Sequence, residues 1–435
     1  MKNKSNPSEL RPFLALWSTQ ALSALGSSMT SFALVIWSYQ QAGSALRTAL
    51  LSICTYAPYV LISIFAGTLT DRLDKKRTML FCDLFAALTT LGVLALFRTG
   101  QLRIWHLYAL NALSGLMNTV QQPASEVTVT LLTPARHVQR ASSLQALSSA
   151  LVSVATPMLA TALYTLLGLD AVIAFDLGTC AIAVLSLAFL IPIPRAQRAE
   201  GVKESVLTTA RSGLRYLRRN RGILDLILLL ACINFVASMY NAALPALILP
   251  RANGEAQLGL VNTAAGLAML LGSALVTLLP APKSRVRVIL NALLLAMSTE
   301  NLLLALGRSP WLWCLGAALG WVAIPAMNAN MNALFRTTIP LEMQGRVYSA
   351  RNTLQFFTIP LGYLAGGWVV DAVAEPLMAA LTPTHPLSQL LGVGKGSGAA
   401  LTFLLLALLG ILPCLLFRRD RHIWALERRE GDAPD

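Results

Sequence analysis

Residues 223–249, ILDLILLLACINFVASMYNAALPALIL, carry a single charge, Asp225, and residues 399–417, AALTFLLLALLGILPCLLF, carry none. A helix of about 20 apolar residues crosses the roughly 30 Å hydrocarbon core of a bilayer, and both stretches meet that length. The whole chain agrees with them. Of its 435 residues 55% are hydrophobic and 12% charged, with a mean hydropathy of +0.62, where a soluble domain carries about 25% charged residues. Cytosolic, disordered and disulfide-rich secreted classes are excluded.

Working outward from those stretches, apolar runs between charge clusters give twelve spans: 12–38, 46–66, 78–97, 104–125, 141–166, 170–191, 223–248, 257–279, 286–306, 310–335, 347–372 and 399–417. They do not alternate in polarity residue by residue, as barrel strands do. They are therefore read as helices, the other form that satisfies its backbone inside a bilayer. The expected fold class is an all-α membrane protein of twelve helices in two six-helix bundles. With both termini cytoplasmic, 28 of the 34 Lys and Arg residues fall on the inner side. The outer six are Arg47, Arg98, Arg103, Arg251, Arg308 and Lys395. This is the positive-inside bias, and it accounts for the net charge of +14 with no nucleic-acid partner.

The expected organisation is an N-terminal bundle over 1–191, a basic cytoplasmic linker over 192–222, a C-terminal bundle over 223–417 and a cytoplasmic tail over 418–435. The linker holds eight Lys or Arg residues. Val206, Leu207, Leu214 and Leu217 have helical spacing, so the linker is either an amphipathic helix on the inner leaflet or a solvated segment held by anionic lipid. A weak internal repeat supports the division into halves. Pro134, Arg140 and Ser143 recur as Pro340, Arg346 and Ser349, each time between the fourth and fifth span of its half. The six cysteines stand singly in apolar runs and read as buried, inert thiols. The apolar stretch from Pro12 to Trp37 is too long and too polar for a cleavable signal.

Between the second and third spans stands Gly67-Thr-Leu-Thr-Asp71-Arg72-Leu-Asp74-Lys75-Lys76-Arg77, with a degenerate echo at Lys283-Ser-Arg285-Val-Arg287. This spacing, at this loop of a twelve-span chain, resembles the loop signature of the major facilitator superfamily. Within it, Ala24-Leu-Gly26-Ser27, Pro340 through Val347 and Gly392-Val-Gly394-Lys395-Gly396 resemble the bacterial macrolide-efflux and enterobactin-exporter branch. The resemblance implies that Asp71, Arg72 and Lys75, after Gly67, latch the cytoplasmic side near Gly345 and Arg346. A carboxylate there would meet a helix N-terminus and a guanidinium. Arg72, Lys75, Lys76 and Arg77 also serve to hold the loop inside.

Polar stripes mark candidate substrate contacts. Gln20, Ser23, Ser27 and Thr30 share one face of the first span. Asn111, Ser114, Asn118, Gln121 or Gln122, and Ser125 do so in the fourth, Asn234, Ser238 and Asn241 in the seventh, and Asn328 and Asn332, beside Trp321, in the tenth. An unpaired amide in lipid costs a few kcal/mol. The stripes therefore line a wet cavity or bond between helices; as a set they favour the cavity, which the first, fourth, seventh and tenth helices line in the family. A cavity with amides, Trp37, Tyr240 and Trp321 but no Arg or Lys suits a bulky, amphipathic, weakly charged organic solute.

Energy coupling in the family usually uses a proton and an intramembrane acid. Asp83, Asp176 and Glu300 are the candidates, with Glu300 favoured because no partner for it is evident. Asp83 lies about 9 Å of helix rise from Arg77, close enough for a salt bridge near the loop. Asn111 stands where an antiporter would carry Arg, and Ser153 to Pro157 lacks the glycine-rich pattern of the family's fifth helix. Residues 392–398 do not form a phosphate loop, the four histidines are scattered, and no cofactor, metal or catalytic constellation is implied. The expectation is a secondary active exporter of a drug, siderophore or other secondary metabolite, working by alternating access with proton antiport as a monomer among the lipids of a bacterial inner membrane. A lipid or lysophospholipid flippase and a transport-inactive sensor or scaffold are the alternatives.

Overall fold

A computed structural model describes residues 10–72, 74–134, 137–193, 206–251, 253–280 and 282–431. The described residues are predominantly helical, with no strand among them. Eleven of their helices are long and apolar enough to cross a membrane. The fourth expected span coincides with a continuous 29-residue helix, Ile104–Leu132, whose glutamines, asparagine pair and Glu126 keep it out of those eleven. The chain divides into two compact units, Met1–Trp37 with Cys54–Val202, and Ser38–Ile53 with Lys203–Asp435.

The first unit takes most of α1 (Arg11–Ala42) and α2 (Ala45–Arg72), and all of α3 (Lys75–Arg98), α4 (Ile104–Leu132), α5 (Val138–Leu167) and α6 (Leu169–Leu185). Its best-packed end gathers Phe13 and Leu16 of α1, Met79 of α3, Ala124 of α4 and Leu187 beyond α6. The basic loop is locally engaged. Asp74 caps α3 by accepting the Arg77 N–H at 3.0 Å, the role its short acceptor side chain favours. Lys76 Nζ donates to the Ala188 and Ile191 carbonyls at 3.0 and 2.9 Å, covering orphan acceptors at the end of the sixth span. Trp37 is buried and meets Phe97 edge-on at 6.4 Å.

The second unit begins with α7 (Val206–Arg219), so the basic segment is helical there, with Leu217 fully buried. Next come α8 (Arg221–Ile248), the most buried of the eleven spans, and α9 (Gly254–Leu278). The ninth span is α10 (Arg285–Leu295), a wide turn at Ala296–Glu300, and α11 (Asn301–Leu306). The tenth is α12 (Pro310–Val322) and α13 (Ile324–Thr338). The eleventh runs through α14 (Leu341–Phe356), α15 (Thr358–Trp368), a wide turn at Val369–Ala374 and α16 (Glu375–Ala380). A short α17 (Pro386–Leu391) precedes α18 (Ser397–Arg418), and α19 (Arg421–Gly431) ends the described chain. Turns of π type, such as Ala296–Glu300 and Val369–Ala374, recur at functional sites.

The bend from α1 into α2, Ser38–Ile53, belongs to this unit, and Asp371 explains why. Its carboxylate accepts from Ser44 Oγ at 2.5 Å and from the Ala45 and Leu46 N–H groups at 3.0 and 2.9 Å. Those are the orphan donors at the start of α2. Glycine at 367 permits the approach, since a Cβ there would stand 2.5 Å from Leu46 Cα. One turn on, Glu375 accepts the Gly396 N–H at 2.9 Å just before α18. At the other end of the unit, Glu427 of α19 accepts from Ser284 Oγ and the Val286 N–H, both at 2.8 Å. The expectation of uniformly buried thiols is corrected. Cys82, Cys180 and Cys414 are buried, Cys54 and Cys314 half-buried, and Cys232 exposed; a small, weakly polar thiol is tolerated on an apolar helix surface.

Candidate functional site

Glu300 closes the wide turn of the ninth span and points into the second unit, 5% exposed. Trp321 Nε1 donates to its Oε1 at 3.0 Å, and the Tyr240 hydroxyl bonds the same carboxylate. Phe403 backs Tyr240 edge-on at 5.4 Å. Two glycines of α12 make the space. A Cβ at Gly320 would collide with Glu300 Oε2 and lie 2.8 Å from its Cβ, and one at Gly316 would lie 3.3 Å from the Glu300 carbonyl oxygen. Glu300 therefore does have partners, which the sequence concealed because they come from helices far along the chain. Both are neutral donors. Among the described residues no cation is ion-paired with this carboxylate.

The first unit holds two more buried acids. Asp83 of α3 accepts from Gln20 Nε2 at 3.0 Å and from Gln121 Nε2 at 2.5 Å. No salt bridge to Arg77 forms: amides from α1 and α4 take its two oxygens. Asp176 of α6 accepts from Ser27 Oγ at 2.9 Å. The helices meet closely because residue 26 is glycine; a Cβ there would stand 2.9 Å from Asp176 Cα. Between the two acids, Cys180 Sγ lies 3.6 Å from the Asp83 carbonyl oxygen, and Ser23 is buried in the same helix face. The α1 stripe thus hands Gln20 and Ser27 to acids of its own unit.

The remaining stripe residues separate into two groups. Asn111 is tied down, accepting from Thr55 Oγ1 at 3.1 Å and donating to the Leu107 carbonyl at 2.8 Å. Asn234 is half-buried, with its carbonyl taken by Ser238 Oγ at 2.8 Å. Asn118, Gln122, Asn241, Asn328 and Asn332 are exposed. Asn241 bonds only the Ala237 carbonyl of its own helix, at 2.9 Å. An amide on a membrane helix that reaches no other helix needs water or solute beside it. Of the latch, Gly67, Asp71, Arg72 and Gly345 lie outside the residues whose side chains are described. Lys75 is buried and Arg346 half-buried, each engaged with a partner.

Helices of membrane-crossing length, in two compact units that each hold buried acids, define a polytopic membrane protein. Residues 16–363 match the family profile of the Major Facilitator Superfamily, and the chain belongs to that family. Among its relatives, macrolide efflux protein A of Streptococcus pyogenes is 24% identical over 368 residues, which are 83% of this chain and 90% of that protein. The multidrug efflux pump Tap of Mycolicibacterium fortuitum is 23% identical over 83% of this chain and 90% of its own. The crystal structure of the nucleoside transporter NupG shares the fold at a TM-score of 0.68 with 10% identity, covering 93% of this chain and 98% of that one.

Proposed function

We propose that this protein is a secondary active exporter of bulky, amphipathic, weakly charged organic molecules, a drug or secondary metabolite, driven by proton antiport. The observation that carries the reading is the pairing of exposed amides with a cation-free helix surface. Asn118, Asn241, Asn328 and Asn332 offer donors and acceptors to a solute, with no Arg or Lys at mid-helix to select an anion. The efflux pumps among the relatives support the same class of cargo.

Glu300 is the proton-carrying group of this proposal. Neutral donors from Tyr240 and Trp321 orient the carboxylate; Tyr240 shares α8 with Asn241, and Trp321 belongs to the tenth span, whose second helix, α13, carries Asn328 and Asn332. Solute entering beside Asn241 or Asn328 would therefore press on the same helices that hold the acid, which couples occupancy to proton release. Asp83 and Asp176 hold the first unit together through Gln20, Gln121 and Ser27 and lend it secondary proton sites. Twelve spans, both termini inside, alternating access, an Asp71 latch at the cytoplasmic face, a monomeric state and residence in a bacterial inner membrane complete the reading. The 28 inner cations support that orientation. The test is susceptibility of a deletion strain to a panel of antibiotics with complementation. Sensitisation to amphipathic neutral or monocationic drugs supports the proposal; sensitisation only to phosphorylated or dianionic compounds refutes it.

A further inference from the structure

The loops that end α8, α11 and α17 meet around a cavity of about 440 Å³ in the second unit. Each loop brings one cation to its wall: Arg251, Arg308 and Lys395. With the termini inside, these are three of the six outer Lys and Arg residues, gathered at one place against the bias that empties the outer face of positive charge. None of the three is ion-paired; the ion pair found among the described residues is Arg98 with Asp170. Arg251 stacks on the Trp313 ring, its guanidinium carbon 4.5 Å from the centroid, and burial without a counter-charge lowers its pKa from the ordinary arginine value. Arg308 donates to the Gln389 carbonyl. Both guanidinium groups are thereby fixed in place with donors to spare. Lys395 stands between Gly394 and Gly396, whose φ angles of +87° and +94° are open to glycine and strained for other residues. Ser397 Oγ pins that turn by donating to the Gly394 carbonyl at 2.7 Å.

Three like charges around one cavity repel one another unless an anion joins them. The rim says which anion. Val393, which lines the cavity with Leu391 and Pro250, is 66% exposed, so apolar surface flanks the cations as acyl chains flank a lipid headgroup. We infer that this cavity binds the phosphodiester headgroup of an anionic phospholipid of the outward leaflet, with Arg251 and Arg308 as forked donors and Lys395 as a point charge. The inference rests on the orientation proposed above, but its test does not depend on transport.

The experiment is native mass spectrometry of the full-length detergent-purified protein with phosphatidylglycerol, with phosphatidylcholine, and with inorganic phosphate as competitor. The wild type retains phosphatidylglycerol in preference to phosphatidylcholine. Replacing the exposed pair, Arg308→Gln with Lys395→Gln, weakens that retention about tenfold, the effect of two surface charge contacts. Arg251→Lys, which keeps the charge and loses the fork, gives an intermediate loss. Equal retention of the two lipids, or undiminished retention by the double variant, overturns the site. Displacement of the lipid by millimolar phosphate overturns the membrane as the source and assigns a soluble phosphate instead. Elution of the variants as the wild type does on size exclusion keeps a folding defect from passing as lost binding.

Discussion

Asp371→Ala should release the start of α2. The carboxylate of Asp371 is the acceptor for the Ala45 and Leu46 amides and for the Ser44 hydroxyl, and alanine leaves all three without it. Loss of an N-terminal cap acceptor costs about 0.5–2 kcal/mol. Loss of a negative charge at a helix N-terminus costs about 0.3–1 kcal/mol more. A central value of about 2 kcal/mol, at about 1.4 kcal/mol per factor of ten, speeds opening of that turn about thirtyfold. Hydrogen–deuterium exchange of peptides covering 38–53, in the full-length protein, reads the opening directly. Asp371→Asn keeps the shape and loses the charge, so about 1 kcal/mol and a fivefold change are expected. Exchange at Ala45 and Leu46 that is unchanged in the alanine variant would refute the capping account. So would an equal rise in a peptide of α5, which would mean general loosening instead of a lost cap.

Other consequences follow from the buried acids. Gly320→Ala places a methyl group against the Glu300 carboxylate, an overpacking that costs about 1–3 kcal/mol; a thermal-shift assay should show a lowered midpoint, and an unchanged one would contradict the packing described. Asp83→Leu strands the amide donors of Gln20 and Gln121, at about 1 kcal/mol for each half-buried group, whereas Asp83→Asn keeps an acceptor and should melt closer to the wild type. If the two substitutions were equally damaging, charge and not hydrogen bonding would be the role of Asp83. Ser27→Ala should be mild by the same measurement, because Ser27 is exposed and water can replace its hydroxyl at Asp176.

The helices were legible because hydrophobic run length is a local property of the chain: all but one of the expected spans coincide with helices of membrane-crossing length and composition. The exception, Ile104–Leu132, shows the limit, since the polar residues that mark it as functional also dilute its hydropathy. The buried acids were legible as residues but not as sites. Glu300 looks partnerless in sequence because Tyr240 and Trp321 stand 60 and 21 positions away. Gln20 reads as a cavity residue because helical periodicity gives the face it shares, and not which neighbour that face meets. Asp371 and Glu375 share a helix face because they stand four apart, but the backbones they cap, at Ala45 and Gly396, are set by the tertiary fold and not by local sequence. Glycines such as Gly320 and Gly367 carry meaning only once the opposing backbone is in place.

Proton-coupled export through Glu300 is tested most directly by drug accumulation in inverted proteoliposomes under an imposed pH gradient, comparing the wild type with Glu300→Gln. The account predicts that the wild type concentrates a neutral or monocationic amphipathic drug while the variant loses gradient-driven uptake and keeps drug–drug exchange, since the amides at Asn118, Asn241 and Asn328 are intact. Uptake by Glu300→Gln that still follows the pH gradient at the wild-type rate would contradict it.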